Sequence, residues 1–340
     1  MRLINKSIIK KIMISCLIAF FLLAIVFFVL LERKLNQPIN LSTPAMLTVT
    51  SGMSISSLSK QLVKNDWIDE RFWLRSYARI YPDKVKIKVG TFKILPPLSS
   101  RDLLAQLVTG KEHQFSMTFI EGTTFKQWLS QLSQQSHLQH TLVNVTDEEL
   151  AQKLSITSSN LEGWFFPETY SFTVGTSDFT VLKWAHSKMK NTLEQLWQDR
   201  AVGLPYDNIY QALIMASIIE KESSLTDELP LIASVFVNRL RKKMRLQTDP
   251  TVIYGLGDRY QGDIKRSHLR EKTPYNTYRI NGLPPTPIAM PGLAALTATL
   301  HPDTSDYLYF VSKGNGSHIF SSTLAEHNKA VARYQLGIKH

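Results

Sequence analysis

Gln211-Ala212-Leu213-Ile214-Met215-Ala216-Ser217-Ile218-Ile219 runs without a charge into Glu220-Lys221-Glu222-Ser223-Ser224. The first nine residues read as an oily helix, and the next five bring carboxylates to its end. At 3.6 residues per turn Glu222 shares a face with Ile218, Ile219 and Met215, whereas Glu220 lies about 200° away, over Leu213, Ala216 and Ser217. The two carboxylates therefore do not form a facing pair. A carboxyl laid on an apolar stripe near the negative end of a helix dipole has two reasons for a raised pKa, which suits a general acid near neutrality. The competing reading is a solvated helix end, which is what most E-K-E runs are.

Toward the N-terminus, Ile12 to Leu31 is almost uninterrupted apolar sequence, with only Ser15 and Cys16 as mild exceptions. That is long enough for a helix to cross a hydrocarbon core of about 30 Å. Arg2, Lys6, Lys10 and Lys11 precede the run and Glu32, Arg33 and Lys34 follow it, so the positive-inside rule puts the short N-terminus in the cytoplasm and the rest outside. A cleaved signal peptide is the rival, but the run is long for one and no small-x-small cleavage site follows. The exported part has no cysteine, which leaves it without disulfides and without a thiol nucleophile. Removing the four cytoplasmic basic residues from a formal charge of +11 leaves +7. That balance favours an anionic cell-wall polymer or a membrane surface as neighbour. Nucleic acid is not expected, because the topology removes the chain from its compartment and no nucleic-acid motif appears. Roughly 300 exported residues suffice for a real core and suggest two domains.

The expected fold class is α+β. After a linker with Pro38 and Pro44, Met46 to Thr50 reads as a strand, Ser56 to Lys64 and about Glu70 to Ile80 as helices, and Val85 to Val89 as a second strand by its alternation. This is a βααβ unit. Ser99 with Asp102 opens a further helix over Leu103 to Val108, closed at Gly110. From Gln114 to about Pro205 short strands alternate with helices, one capped by Thr146 and Glu149 and a long one from about Val181 to Gln198. Within this region Leu161-Glu162-Gly163-Trp164-Phe165-Phe166-Pro167-Glu168-Thr169-Tyr170 cannot be a helix; it reads either as a sugar platform or as an aromatic plug between subdomains. Further on come a helix from about Glu228 to Lys243, a polar cluster at Gln247 to Asp249, a hairpin around Gly314-Asn315-Gly316, and a last helix capped by Thr323 and Glu326.

The chain has no G-x-G-x-x-G, P-loop, H-E-x-x-H or G-x-S-x-G. Its histidines are scattered, so neither a metal site nor a cofactor is expected. A carboxylate at a helix end, a polar cluster and amide-bearing aromatic loops are the equipment of a polysaccharide-cleaving site.

Seven stretches carry a resemblance: F-I-E-G-T at 119–123, L-E-G-W-F-F-P-E-T-Y at 161–170, A-S-I-I-E-K-E-S at 216–223, V-F-V-N-R-L at 235–240, M-R-L-Q-T-D-P-T-V-I-Y-G at 244–255, Y-N-T-Y at 275–278 and G-L-P-P at 282–285. With them the chain resembles the YceG-like family of membrane-anchored endolytic murein transglycosylases, from the anchor to the final helix. The resemblance implies a LysM-like glycan-binding module at 46–112, a connecting α+β region at 113–205 and a catalytic region at 206–340, after a cytoplasmic segment (1–11), a transmembrane helix (12–31) and a linker (32–45). It also implies that Glu222 is the catalytic residue, placed at a helix C-terminus. A single carboxylate suffices for such an enzyme, because the muramic C6 hydroxyl is the nucleophile and closes a 1,6-anhydro ring. Gln247, Asp249, Tyr275 and Asn276 are expected to orient the glycan, their alternative being loop pinning. Glu220, Ser223 and Trp164 are expected in support. The implied setting is the cytoplasmic membrane, crossed once, with peptidoglycan strands as substrate and cell-wall synthesis proteins as partners. A non-enzymatic, membrane-anchored glycan-binding or scaffold protein is the alternative.

Overall fold

The computed structural model describes residues 6–336 and divides into two compact units, Met1–Phe115 and Ser116–His340. Arg2, within the expected cytoplasmic segment, lies outside the described residues, as do residues 337–340.

The first unit begins with α1 (Lys6–Leu35), which is long and apolar enough to cross a membrane. β1 (Ala45–Val49), α2 (Ile55–Lys64), α3 (Phe72–Ile80), β2 (Gly90–Ile94) and α4 (Ser100–Thr109) follow. The two strands pair antiparallel, Leu47 opposite Phe92 and Val49 opposite Gly90, which closes the βααβ order. Ser54 caps α2 by accepting from the Ser57 N–H, and Ser99 and Asp102 form the expected box on α4. Gly110 ends α4 in the left-handed region at φ 70°.

The second strand differs from the sequence expectation. Pro82–Val85 forms a 3₁₀ turn, Val89 is 58% exposed, and the pairing falls on Gly90–Ile94. The physical reason is burial. Phe92 and Ile94 are fully buried against Leu47, Leu58, Leu62 and Leu103, whereas Val85 and Ile87 reach the same core only partly buried and Val89 not at all.

The second unit contains β3 (Phe115–Thr118), α5 (Phe125–Ser133), α6 (Asp147–Leu154), β4 (Thr169–Phe172), α7 (Asp178–Gln198), α8 (Ile209–Glu220), α9 (Leu229–Arg241), α10 (Asp249–Leu256), α11 (Arg266–Arg270), α12 (Leu293–Leu300), the hairpin β5 (Tyr309–Ser312) and β6 (His318–Ser321), and α13 (Leu324–Tyr334). β3 pairs with β4. The boxes at Thr146/Glu149 and Thr323/Glu326 form as expected. Helices α10 and α12 carry no clear signal in the sequence: each is only eight residues long, too short to show a periodic pattern.

Helix α8 is the axis of this unit. Every residue from Ala212 to Ile219 is buried, with α7, α9 and α12 packed around it. A helix apolar all round has no solvent face to spare, so it goes to the centre. Each fully buried Leu or Ile there contributes about 1.5–3 kcal/mol.

The aromatic loop packs inward. Phe165 is fully buried, stacked on Phe125 with centroids 5.2 Å apart, and Trp128 beside it stacks on Phe119 at 3.7 Å. Gly163 sits at φ 83°, where a Cβ would meet Pro287 at 2.6 Å. Buried Glu162 ties the loop to its surroundings, accepting from the Phe125 N–H at 2.9 Å and from the Tyr254 hydroxyl at 3.3 Å. Trp164 is half-buried, stacked on Tyr210 at 5.5 Å, and its indole N–H has no partner among the described residues. Trp164→Ala is therefore expected to cost about 3 kcal/mol of stability and to leave affinity for a murein oligomer unchanged. Thermal melting beside oligomer binding checks this, and a stable variant with lost affinity would restore the sugar-platform reading.

Candidate active site

The E-K-E run is a junction at which each residue holds a different segment. Helix α8 stops at Glu220 with Lys221 as its cap. Glu222 thus lies two residues beyond the helix, its N–H donating to the Ile219 carbonyl at 3.1 Å. The continuous helical face with Ile218, Ile219 and Met215 expected from the sequence does not extend to it, because the chain turns here. Glu220 accepts from the Gly292 N–H at 2.9 Å. Lys221 donates to the Gly122 carbonyl at 2.9 Å, and Gly122 in turn donates to Met290. Glu222 accepts a short hydrogen bond from the Thr248 hydroxyl. The carboxylates leave the helix end in different directions, in line with their angular separation in the sequence.

Thr248 is fixed from below. Its N–H donates to Thr277 Oγ1 at 3.0 Å, and Thr251 donates to its carbonyl at 2.8 Å while sharing a 2.8 Å bond with Thr277. These three threonines are buried. Thr248 is also the N-cap of α10. Gln247, just before it, adopts φ 54°, a left-handed conformation that an L-side chain holds only when its surroundings impose it.

Arg239 is the nearby cation. It is 8% exposed and donates to the carbonyls of Leu308 at 2.6 Å, Leu246 at 2.8 Å and Arg245 at 3.2 Å, and to Gln247 Oε1 at 3.3 Å. Its guanidinium also faces the Tyr309 ring at 5.1 Å. Asn238 beside it donates to the carbonyls of Ser305 and Tyr307, fixing the segment that leads into the hairpin. The N-R pair of α9 therefore sets one wall of the site.

A cleft of about 560 Å³ opens over these groups, lined by Glu222, Arg239, Thr248, Asp249, Tyr278 and, from the far wall, His327 of α13. Burial pushes the Glu222 carboxyl up to about 7, and the like charge of Asp249 adds to it; the Thr248 hydrogen bond and Arg239 oppose. The residue keeps partial contact with solvent, so its proton can exchange. Burial also raises Glu220, helped by Glu121 and opposed by the Gly292 N–H.

Among the residues singled out in the sequence, Gln247 and Asp249 join Glu222 in the cleft. Asp249 accepts from the Tyr278 hydroxyl at 2.7 Å. Tyr275 and Asn276 stand elsewhere. The Tyr275 hydroxyl bonds Thr286 and its ring meets Tyr254, while buried Asn276 spends its amide on the carbonyls of His268, Leu269 and Glu271 and its oxygen on the Tyr278 N–H. Ser223 accepts from the Leu225 N–H and shapes the turn. Thr248, Arg239, Tyr278 and His327 were not singled out. The first three stand inside the quoted Q-T-D-P, V-N-R-L and Y-N-T-Y stretches, so a signal existed; His327 had none.

The family model for the YceG-like family matches residues 47–333. The chain belongs to the YceG-like family. It is 31% identical over 321 residues to the endolytic murein transglycosylase of Bacillus subtilis, covering 89% of this chain and 88% of that protein. It is 26% identical to the protein of the same name from Streptococcus pneumoniae, with 87% of this chain matched to 60% of that longer one. A 2.6 Å crystal structure of a yceG-like protein from Listeria monocytogenes is similar at a TM-score of 0.55 and 30% identity, covering 84% of this chain and 98% of that one.

Proposed function

We propose that this protein is an endolytic murein transglycosylase that cleaves the β-1,4 bond between N-acetylmuramic acid and N-acetylglucosamine inside glycan strands and leaves 1,6-anhydro ends. The observation that carries the reading is one half-buried carboxyl, Glu222, pushed up to about 7 by burial, in a cleft of about 560 Å³, in a member of this family. Glu222, protonated, gives its proton to the bridging oxygen as the bond to muramic C1 breaks. As carboxylate it then accepts the proton of the muramic C6 hydroxyl while that oxygen attacks C1, so no water is consumed. A pKa near the working pH serves both halves of this cycle. Thr248 orients the carboxylate, and Asp249, exposed at the rim and held by Tyr278, faces the cationic transition state.

Helix α1 fits a single-pass membrane anchor. On this reading the basic N-terminal flank stays in the cytoplasm, everything after α1 stands outside the cytoplasmic membrane, and the βααβ unit is a LysM-like module that meets nascent strands. Cell-wall synthesis proteins at the same membrane are the partners this placement suggests.

Mass spectrometry of products from purified murein tests the reaction. Anhydro-muramyl ends within oligomers are expected. Reducing ends carrying oxygen from labelled water would establish a hydrolase, and release of disaccharides alone would establish exo action. Thr248→Val gives a second test. It removes the hydrogen bond that favours the carboxylate, so the basic limb of the kcat/KM profile should move above its wild-type position near 7. An unmoved limb would mean that another group controls it.

A further inference from the structure

Helix α3 presents an exposed aromatic edge and two exposed cationic side chains to solvent. Phe72 is 53% exposed, and Arg75 and Arg79 follow it at i+3 and i+7 on the same helix face, both exposed. With Ser76 they line a shallow depression of about 230 Å³. Neither arginine has a carboxylate partner among the described residues. The acidic groups of the preceding loop are engaged: Asp69 accepts from Asn40 at 3.0 Å and Glu70 from the Trp73 indole at 2.6 Å.

The position of this face relative to α1 gives it meaning. Phe27 meets Phe72 edge-on at 6.3 Å and Trp73 at 6.0 Å. Phe27 belongs to the apolar run that ends at Leu31, and at 1.5 Å per residue it lies about 6 Å inside that end. Leu31 and Leu35 are 0% and 1% exposed within the core of this unit, so α1 and α3 are packed as one body. A hydrocarbon core of about 30 Å placed on Ile12 to Leu31 therefore has its outer boundary within about 6 Å of the level at which α3 begins.

We propose that α3 is a membrane-surface contact: Phe72 and Trp73 sit in the interface of the outer leaflet, and Arg75 and Arg79 bind the phosphates of anionic phospholipids. Aromatic rings favour that depth, and a guanidinium matches a phosphate bidentately. The inference rests on α1 spanning the bilayer. Its consequence is that the βααβ unit is held against the lipid rather than swinging on a tether.

The test uses the full chain with Cys16→Ala and single nitroxide-labelled cysteines at Leu23, Ser76 or Lys60, in nanodiscs of phosphatidylcholine with or without phosphatidylglycerol. Collision with lipid-phase and aqueous relaxation agents is read at each site. Lipid-phase collision at positions 23 and 76 and aqueous collision at exposed Lys60 are expected. Arg75→Gln with Arg79→Gln should then lower the association of phosphatidylglycerol headgroups with position 76 by about 25-fold, about fivefold for each arginine. Position 76 as aqueous as position 60, with position 23 in lipid, would overturn the proposal and leave the anchor standing. An aqueous position 23 would overturn the anchor itself. A double variant unchanged in anionic discs would overturn the phosphate contact.

Discussion

Glu222→Gln is expected to lower lytic activity by about 10²- to 10⁴-fold, the usual contribution of a positioned general acid–base. The amide keeps the volume of the side chain and accepts from Thr248, but it has no proton to give and no charge with which to take one back. Stability moves the other way. Because Glu222 rises from 4.5 to about 7 on folding, its favourable contribution is full below pH 4.5 and is lost as pH rises through 7. At pH 8 the wild type holds a half-buried carboxylate, at a cost on the order of 3 kcal/mol. The variant lacks this cost, so it should melt higher than wild type at pH 8 and level with it near pH 4.5. Activity assays on purified murein and melting curves at the two pH values check both halves. Near wild-type activity would clear Glu222 of the chemistry, and Glu220→Gln would be next.

Phe165→Ala should carry the largest stability loss, about 3–5 kcal/mol. Phe165 is fully buried between Phe125 and Trp128, and its loop also carries Glu162, which holds the N-terminus of α5. A cavity there has stacked rings on both sides that cannot close it without moving α5. Chemical denaturation measures the loss. A change below about 1 kcal/mol would show that the loop repacks freely and that its aromatic run is not structural.

The parts of this protein governed by local chemistry were legible in the chain. The span of α1 follows from uninterrupted apolar length, the capped starts of α4, α6 and α13 follow from side chains that satisfy the N–H groups of the first turn, and the central place of α8 follows from a helix with no polar face. The arrival of Glu222 at the edge of the core was legible too, because a carboxylate at the end of such a helix cannot stay inside it. What the sequence did not carry was the partner of each group. Val85 to Val89 alternates as well as Gly90–Ile94 does, and only the pocket waiting for Phe92 and Ile94 selected the strand.

The same distinction runs through the site. Asn276 and Asp249 look alike in sequence as polar residues in loops, yet one is buried and spent on backbone carbonyls while the other stands exposed in the cleft. The sequence alone determined which elements form, which one is buried and where a carboxylate leaves the core, since caps, period and apolar length act over a few neighbouring residues. Only the tertiary structure decided that Glu222 meets Thr248, Asp249 and Arg239, and that His327 closes the far wall. Those contacts join residues far apart in the chain, and their geometry is set by how the helices around α8 pack, which no local pattern encodes.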